Sequence, residues 1–448
     1  MDCIDFKKVF DESLDDYIQL LKIKSVYDEA TVSDTTPYGK GVDDALEFMK
    51  QKAIDDGFDV LEYDHQAIAI RYRKDCSKRI DVASHLDVVE PGNGWKYDPF
   101  AAVIEDGKVY ARGTQDMKTS AWLSYLSLKI LREQYPDIDC EVRIVLGTDE
   151  ERTMNDMRHY VKCAGYPDFA FTPDGYFPMG IGEKGALMWR LKGECDSIIE
   201  ELDGGVQCNV ISPFASATLK NNDYTLTIQE YIEKNNIDAT VEEKDNKTIV
   251  GVKGKAAHAS RPLDGHNATV DLLKILGDCC KDKFCLELKE CFRDPFGEGC
   301  ECGYDIEPMG KVTINLGVLR MKDGQVYGEV DCRYPYGVTS KILTEALQRH
   351  LSLKVSLDYD DKPTLCANDD PYVLTMLETY RNVTKDYSEP LISGGVSYSK
   401  VFEHCVSYGP GRATDEQLAH QANEYVVLNE CKNYLEIYYK TIEAIANK

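Results

Sequence analysis

The sequence contains no apolar run that approaches the ~20 residues needed to cross a membrane, so it does not predict a membrane-spanning protein. The chain begins with MDCIDFKKVFDESLDDY, which is rich in charge and lacks the apolar core of a signal peptide. Basic residues are also scarce, with 52 Lys and Arg against 78 Asp and Glu and a formal net charge of −26. Because a field of that sign repels phosphate backbones and anionic lipids, we expect neither nucleic acid nor membrane as a partner.

The 16 cysteines lack the spacing of a structural metal site. Six of them fall between Cys279 and Cys302, yet none of these forms a C-x-x-C pair. In a chain without an export signal, such thiols are typical of a reducing compartment, so we expect a cytoplasmic protein. The 448 residues, 43% of them hydrophobic, exceed one compact core and predict two or three domains.

The pattern of apolar residues predicts an α/β fold at both ends of the chain. Strand-like runs alternate there with helical patterns, which is typical of a mostly parallel sheet flanked by helices. The predicted strands are 67–72, 80–83, 140–146 and 168–172, and the predicted helices are 5–23, 41–51, 119–133 and 430–446. Hairpins with interspersed helices lie between these parts and indicate an α+β module. We therefore predict a discontinuous domain of residues 1–185 and 366–448, interrupted by a lid-like insert of residues 186–365.

Polar side chains follow the predicted strands of the α/β part. His85 and Asp87 follow strand 80–83, and two residues apart in a strand they would face the same side. Further carboxylates follow the other strands or precede the helix 119–133: Glu150, Glu151, Asp174 and Asp116. Since open α/β sheets bind ligands at the carboxyl ends of their strands, we expect these side chains to share one edge.

This inventory indicates a site for two divalent metal ions. Ions such as zinc take imidazole nitrogen and carboxylate oxygen, and a carboxylate can bridge two ions ~3.5–4 Å apart. A glutamate beside the ions can take a proton from water, so the adjacent glutamates could divide the roles of ligand and base. His420, in the returning α/β part, is the candidate for a second imidazole. Taken singly, each residue has an ordinary alternative: Asp116 as a helix cap, Asp174 in a turn, and Glu150 with Glu151 as a solvated pair.

Five segments occur in an order that is characteristic of a known family: SHLDVVEPGNGW, ARGTQDMK, LGTDEE, FTPDGYFP followed by GEKG, and HQANEY. The chain thereby resembles the dinuclear zinc exopeptidases, a family of dipeptidases, aminoacylases and desuccinylases. It is most similar to the bacterial Xaa-His dipeptidase (PepV-type) branch, whose lid is enlarged. The resemblance spans nearly the whole chain, and it implies a catalytic α/β domain with a large inserted α+β lid.

The resemblance also implies a role for each candidate residue of the α/β part. The implied ligands are His85, Asp116 and Asp174 for one ion, and Glu151, His420 and the shared Asp116 for the other. Glu150 would be the general base, and Asp87 would orient His85. Two ions per chain are implied, with zinc as the first choice and manganese or cobalt as alternatives.

Several residues outside this set resemble substrate contacts of the family. His258, in GKAAHAS, resembles the histidine that polarises the scissile carbonyl, and Arg333, in DCRYP, resembles the arginine that grips a substrate carboxylate. Asn209, Gly394 and Gly395 resemble further contacts. The alternatives are an ordinary loop histidine for His258 and a tight turn for the two glycines.

The activity implied is that of a metallodipeptidase acting on dipeptides with a free N-terminus, through a hydroxide that bridges the two ions. The alternative is an N-acyl-amino-acid deacylase or desuccinylase that uses the same site. A non-catalytic binding protein on an enzyme fold is a third hypothesis, although every expected site position is filled. Thr119 and the pair Gly175-Tyr176 depart from the family pattern and leave the substrate preference open. The large insert implies a monomer whose lid comes from its own chain.

Overall fold

A computed structural model describes residues 4–448, which form two compact units. The first unit is Met1–Gly182 with Leu365–Lys448, and the second is Glu183–Thr364. The sequence places the two boundaries after residues 185 and 365, and the structure divides the chain after residues 182 and 364. The labels of catalytic domain and lid for these units stay predictions.

Helices and strands alternate along much of the chain. The helices are α1 (Phe6–Glu12), α2 (Leu14–Lys22), α3 (Lys40–Asp55), α4 (Lys118–Gln134), α5 (Asn155–Ala164), α6 (Thr225–Asn235), α7 (Ala268–Cys280), α8 (Lys283–Cys291), α9 (Ser340–His350), α10 (Pro371–Thr384) and α11 (Leu428–Ala446). The strands are β1 (Asp59–Tyr63), β2 (Ala67–Tyr72), β3 (Arg79–His85), β4 (Val103–Glu105), β5 (Lys108–Tyr110), β6 (Glu141–Gly147), β7 (Phe169–Thr172), β8 (Gly180–Glu183), β9 (Gly185–Glu194), β10 (Ile199–Gly204), β11 (Phe214–Leu219), β12 (Ala239–Lys244), β13 (Lys247–Lys253), β14 (Asp305–Ile306), β15 (Gly310–Lys311), β16 (Thr313–Lys322), β17 (Gln325–Tyr334), β18 (Lys354–Asp361), β19 (Thr364–Leu365), β20 (Leu391–Ser393), β21 (Cys405–Ser407) and β22 (Tyr425–Val427).

The main sheet of the first unit has the strand order β1-β2-β6-β3-β7-β21-β8-β19, with β20 paired to β8. Its four central strands, β6, β3, β7 and β21, are parallel. The outer strands β1 and β2 are antiparallel, because only residues 64–66 separate them and a parallel connection needs a dozen residues or more. The predicted mostly parallel α/β sheet is thus confirmed at its centre, whereas β1, β2 and β8 make antiparallel pairs.

The core of the first unit lies around the central strands. Every side chain of β6 is buried, as parallel strands covered on both faces require. Helix α4 packs on β3 and β6 and also against α11. Among residues 4–448, none of the helices combines the length and the apolar character that a bilayer crossing needs.

The prediction of one helix over residues 5–23 is wrong, because the helix is interrupted at Ser13. The Ser13 backbone N–H and hydroxyl both donate to the carbonyl of Phe10, at 3.0 and 2.9 Å. Such local side-chain bonding to the backbone competes with a continuous helix. The segment therefore forms two short helices, α1 and α2.

The second unit contains an antiparallel sheet of eight strands in the order β12-β13-β11-β10-β16-β17-β9-β18. The predicted hairpin about Asp323-Gly324 is confirmed, since Lys322 pairs with Gln325 across the turn. Both turn residues have positive φ, +49° and +79°, which is the conformation that Asp-Gly supplies in two-residue hairpins. With α6, α7 and α9 packed on the sheet and α8 packed on α7, the predicted α+β character of the insert is confirmed.

A buried carboxyl group in β3 makes stability depend on pH. Asp81 is fully buried, accepts a hydrogen bond from the Tyr160 hydroxyl at 2.7 Å and lies 3.3 Å from Nε of Arg79. Burial raises the pKa of Asp81 to about 6. The folded protein therefore holds this proton more tightly than the unfolded chain, and the stabilisation from protonation is lost as pH rises through about 6.

We expect Asp81→Asn to flatten the dependence of unfolding free energy on pH between about 4 and 7, by up to about 3 kcal/mol. Urea unfolding of both proteins across that range measures the difference. The exposed Asp139→Asn is the matched control and should follow the unsubstituted protein. Parallel curves for Asp81→Asn and the unsubstituted protein would contradict the expectation.

Candidate metal centre

The predicted site residues of the first unit gather where the parallel strands end. His85 is the last residue of β3, which lies between β6 and β7. Glu150 and Glu151 follow the end of β6, and Asp174 follows the end of β7. Because these three strands are parallel, their carboxyl ends meet at one edge of the sheet, as the sequence predicted.

Asp116 lies between the two histidines. Its Oδ1 is 3.0 Å from Nε2 of His85, and its Oδ2 is 3.0 Å from Nε2 of His420. The same Nε2 of His420 is 3.0 Å from Oε1 of Glu151. One carboxylate that offers one oxygen to each imidazole has the arrangement needed to bridge two cations.

The second group around His85 contains Glu150 and Asp174. Nε2 of His85 is 3.8 Å from Oδ2 of Asp174 and 3.9 Å from Oε2 of Glu150. Ligand atoms of His85, Glu150 and Asp174 all lie within 4.8 Å of one another, as do those of His85, Asp116 and Glu151. The structure thus brings the five predicted ligands together with Glu150, which lies as close to His85 as Asp174 does.

Asp87 contacts both His85 and the two glutamates. Nδ1 of His85 is 2.9 Å from the backbone carbonyl oxygen of Asp87 and 3.4 Å from its carboxylate. The carboxylate also accepts the backbone N–H groups of Glu150, at 3.3 Å, and Glu151, at 3.1 Å. These contacts allow Asp87 to orient the imidazole, a role that stays a prediction, and they fix the turn that carries both glutamates.

Burial and the neighbouring charges raise the pKa values of Glu150, Glu151 and His420 in this cluster. Burial raises the pKa of Glu150 well above its ordinary value, and the charges of Asp174 and Glu151 add to this rise. Burial and the charge of Asp116 raise the pKa of Glu151 to about 6. Hydrogen bonds to Asp116 and Glu151 raise the pKa of His420 to about 10. The cluster therefore holds protons that an exposed set of the same side chains would release.

The donor set fits divalent cations. The raised pKa of His420 describes a proton held between an imidazole nitrogen and the carboxylates of Asp116 and Glu151. A divalent ion can replace such a proton, since it binds the same nitrogen and oxygen atoms. It would also neutralise the mutual repulsion of carboxylates that raises the pKa of Glu151.

A buried network that sequence reasoning missed supports the turn after β6. The Asp156 carboxylate accepts the backbone N–H groups of Thr148, at 2.5 Å, and Asp149, at 2.9 Å, together with the Tyr398 hydroxyl. Gly147 is required at this point, because a Cβ there would lie 2.1 Å from the Tyr398 hydroxyl oxygen. The Tyr398 ring also meets the His85 ring edge-on, with centroids 6.1 Å apart.

Glu424 holds the loop that carries Asp116, a role that its place in HQANEY does not reveal. Its buried carboxylate lies 2.6 Å from Nη1 of Arg112, which is also buried. The carboxylate further accepts the backbone N–H groups of Gly113, Gln115 and Asp116, at 3.2, 2.6 and 3.3 Å. Only the fold reveals this contact, because Arg112 and Glu424 are 312 residues apart in the sequence.

We expect Glu424→Ala to lower the free energy of unfolding by about 3–5 kcal/mol, because it leaves the buried Arg112 guanidinium without its carboxylate. Urea or thermal unfolding measures the loss. Glu416→Gln changes an exposed glutamate in the loop between β21 and β22, which also contains Glu424. It should leave the free energy of unfolding within about 0.5 kcal/mol of that of the unsubstituted protein. A loss below about 1 kcal/mol for Glu424→Ala would contradict the structural role of this pair.

Three predicted substrate contacts, His258, Arg333 and Asn209, lie in the second unit. The segments of His258 and Asn209 are joined by a backbone hydrogen bond. The backbone N–H of Ala259, next to His258, donates to the Asn209 carbonyl at 2.9 Å. Burial lowers the pKa of His258, and the nearby Arg333 guanidinium lowers it further. Arg333 itself makes a bidentate contact with Asp331, Nε to Oδ1 at 3.0 Å and Nη2 to Oδ2 at 2.9 Å.

The protonated nitrogen of His258 can be assigned from its contacts. The backbone N–H of Ser260 donates to Nδ1 at 3.2 Å, so Nδ1 accepts and the ring proton lies on Nε2. The predicted contacts Gly394 and Gly395 lie in the first unit, directly after β20, and the Gly395 N–H donates to Oγ of Ser393 at 2.9 Å. The roles of all five substrate contacts stay predictions.

Residues 82–444 match the family described as Peptidase family M20/M25/M40, and the chain belongs to this family of metal-dependent hydrolases. The predicted resemblance is therefore confirmed. A protein of Staphylococcus epidermidis that bears the name "Putative dipeptidase" is 30% identical in an alignment 457 positions long, which covers 97% of each chain.

Solved structures agree on the fold. A tripeptidase from Staphylococcus aureus has a TM-score of 0.59 at 15% identity, with 100% of both chains covered. An aminoacylhistidine dipeptidase from Vibrio alginolyticus has a TM-score of 0.56 at 14% identity, with 96% of both chains covered. At these identities the likeness establishes the fold alone.

Proposed function

We propose that this member of the family is a metallodipeptidase that hydrolyses dipeptides with a free N-terminus. The observation that carries the proposal is the position of Asp116, whose two oxygens each face one imidazole. The name of the relative from Staphylococcus epidermidis, which matches along nearly the whole chain, supports the same substrate class.

We further propose that the cluster holds two divalent ions, with zinc as the first choice. His85, Asp116 and Asp174 would hold one ion, and Glu151, His420 and the shared Asp116 would hold the other. Such ions supply two effects when bound, a lower pKa for water and polarisation of the scissile carbonyl. The chain contributes the two imidazoles and the surrounding carboxylates whose contacts are described above.

Glu150 is proposed to move the proton of the reaction. Its carboxylate would take a proton from the attacking water and give it to the leaving amine. Burial, the first cause of the raised pKa of Glu150, belongs to its position in the fold and favours a carboxylate that can hold this proton between the two transfers. Asp87 would keep Glu150 in place through the hydrogen bond to its backbone N–H.

Five residues outside the metal cluster are proposed to recognise the substrate, three of them in the second unit and two in the first. His258 carries its ring proton on Nε2, so it can donate a hydrogen bond to the oxyanion that develops on the carbonyl oxygen. Arg333 would bind the carboxylate of the dipeptide, and Asn209, Gly394 and Gly395 would contribute further contacts. We propose a cytoplasmic monomer with no nucleic-acid partner, and light scattering of the purified protein tests the oligomeric state.

A substrate panel tests the proposed activity. We expect the zinc-loaded protein to hydrolyse free dipeptides and to leave N-acetyl and N-succinyl amino acids intact. The matched control is each dipeptide with its N-terminus acetylated, which should be hydrolysed at least about tenfold more slowly because acetylation removes the charge of the amine and adds bulk to it. Hydrolysis confined to N-acyl amino acids would identify a deacylase and overturn the proposal.

A further inference from the structure

A second cluster of metal-binding side chains lies on the opposite edge of the main sheet. His404 directly precedes β21, and Asp168 directly precedes the parallel neighbour β7. Cys366 follows β19, and Asp370 directly precedes α10. The candidate metal centre described above follows the carboxyl ends of the parallel strands, so this cluster at their amino ends is separate from it.

The cluster combines three kinds of ligand atom. One ligand atom from each of Cys366, Asp370 and His404 lies within 4.8 Å of the other two. All three residues are partly buried. Thiolate, imidazole and carboxylate are the donors that zinc and similar borderline ions take together in proteins.

The hydrogen bonds of His404 place Nε2 opposite a carboxylate oxygen of Asp370, so two acceptor atoms face each other. Nδ1 of His404 lies 2.8 Å from the backbone carbonyl oxygen of Asp168, so this nitrogen carries a proton and donates. In the neutral ring Nε2 is then a lone pair, and it faces Oδ2 of Asp370 at 2.8 Å. Two lone pairs at that distance repel, so either a proton shared by the two groups or a metal ion must lie between them.

Each ligand is also held by a second contact, as metal ligands usually are. The His404 ring packs edge-on against Phe169, with centroids 4.9 Å apart. The other carboxylate oxygen of Asp370 accepts the backbone N–H of Tyr372 at 2.8 Å. The backbone N–H of Cys366 donates to the carbonyl of Ile181 at 2.7 Å. These contacts orient the imidazole and the carboxylate and fix the backbone of Cys366 before any ion binds.

We propose that Cys366, Asp370 and His404 form an additional metal site, which binds a zinc-like divalent ion with three protein ligands and one water. Binding forms bonds to Sγ, Oδ2 and Nε2, and it releases the thiol proton and the Nε2 proton to solvent. A thiolate and a carboxylate together balance the charge of a divalent ion. Since zinc–nitrogen and zinc–oxygen bonds of ~2.0–2.2 Å place neighbouring ligand atoms ~3.3 Å apart, Oδ2 must move by a few tenths of an ångström.

The ion would link the returning part of the chain to the sheet. Cys366 and Asp370 lie at the start of the returning part, Leu365–Lys448, and His404 directly precedes β21, a central strand of the sheet. The site therefore has a structural role, separate from the proposed hydrolysis. Its failure would leave the proposed function untouched, because none of its three ligands belongs to the candidate metal centre.

Cobalt substitution tests the site with a signal that the candidate metal centre cannot give. A cobalt–thiolate bond produces a charge-transfer absorption band, whereas that centre consists of imidazoles and carboxylates alone. We expect the cobalt-loaded full-length protein to show this band and Cys366→Ser to lose it. Metal analysis should give about one ion per chain fewer for Cys366→Ser than for the unsubstituted protein, with dipeptide hydrolysis within about twofold.

Cys163→Ser is the matched control, because Sγ of this exposed cysteine also lies beside an imidazole, 3.6 Å from Nε2 of His159. The band and the metal content should survive this substitution. Loss of the band in Cys163→Ser would assign the thiolate ligand elsewhere and overturn the proposal. A cobalt-loaded protein without the band, or equal metal content in Cys366→Ser, would also overturn it and leave only an ion pair between His404 and Asp370.

Discussion

Replacing Glu150 by glutamine is expected to lower kcat by about 10²–10⁴-fold while the metal content stays at the level of the unsubstituted protein. Glutamine keeps the shape of the side chain but cannot accept the proton of the attacking water. The buried position of Glu150 and its backbone hydrogen bond to Asp87 both survive this change. The loss should therefore arise in turnover and not in folding.

Metal analysis separates a role of Glu150 as general base from a role as metal ligand, which its distance to His85 does not distinguish. Oε2 of Glu150 and Oδ2 of Asp174 are nearly equidistant from Nε2 of His85, at 3.9 and 3.8 Å. A base leaves the metal content unchanged when it is replaced, whereas a ligand does not. The exposed Glu90→Gln, three residues after Asp87 in the sequence, serves as the control for loss of a carboxylate and should retain full activity. Unchanged turnover in Glu150→Gln would remove this residue from the proposed chemistry.

Replacing Asp116 by asparagine is expected to have the second large effect, with loss of bound metal and a fall in kcat/KM of about 10³-fold. An amide offers only one oxygen, so asparagine cannot give one oxygen to each of the two proposed ions as the carboxylate can. Metal content by atomic emission and kcat/KM on a dipeptide measure the two losses together. Retention of both the metal and the activity would contradict the bridging role.

The matched control for this substitution is Asp106→Asn. Asp106 is exposed in the turn between β4 and β5, and its φ of +50° lies in the left-handed region that asparagine also tolerates. Its metal content and kcat/KM should equal those of the unsubstituted protein. A loss in both variants would indicate a general effect of charge removal and not a ligand role.

Much of the fold follows from local patterns. The bounds of β2 equal the predicted 67–72, because a buried apolar run there is followed by charged residues. The Asp-Gly turn between β16 and β17 fixes its own hairpin. In contrast, β10 escapes prediction since its sequence, IEELDG, mixes buried and exposed residues and carries charges that are typical of a loop. Such a half-exposed strand depends on its neighbours, which the local sequence does not reveal.

Site residues at strand ends can be predicted from the sequence, whereas those held in place by long-range contacts cannot. His85 and the carboxylates that follow β6 and β7 can be found because strand ends share an edge in parallel sheets. His420 lies in a loop with a φ of +63°, where long-range contacts and not local preference set the backbone. Only the need for a second imidazole and the family resemblance indicate it from the sequence. Glu424 and Asp156 escape prediction because their partners are distant in the sequence or are backbone groups.

The ion pair between Arg112 and Glu424 has a consequence for how the enzyme matures during synthesis. The loop that presents Asp116 is made early, but its carboxylate anchor emerges from the ribosome only after residue 424 has been added. Until then the backbone N–H groups of Gly113, Gln115 and Asp116 lack the carboxylate that accepts them in the folded protein. A polypeptide that stops before residue 424 therefore leaves the buried Arg112 guanidinium without its carboxylate partner.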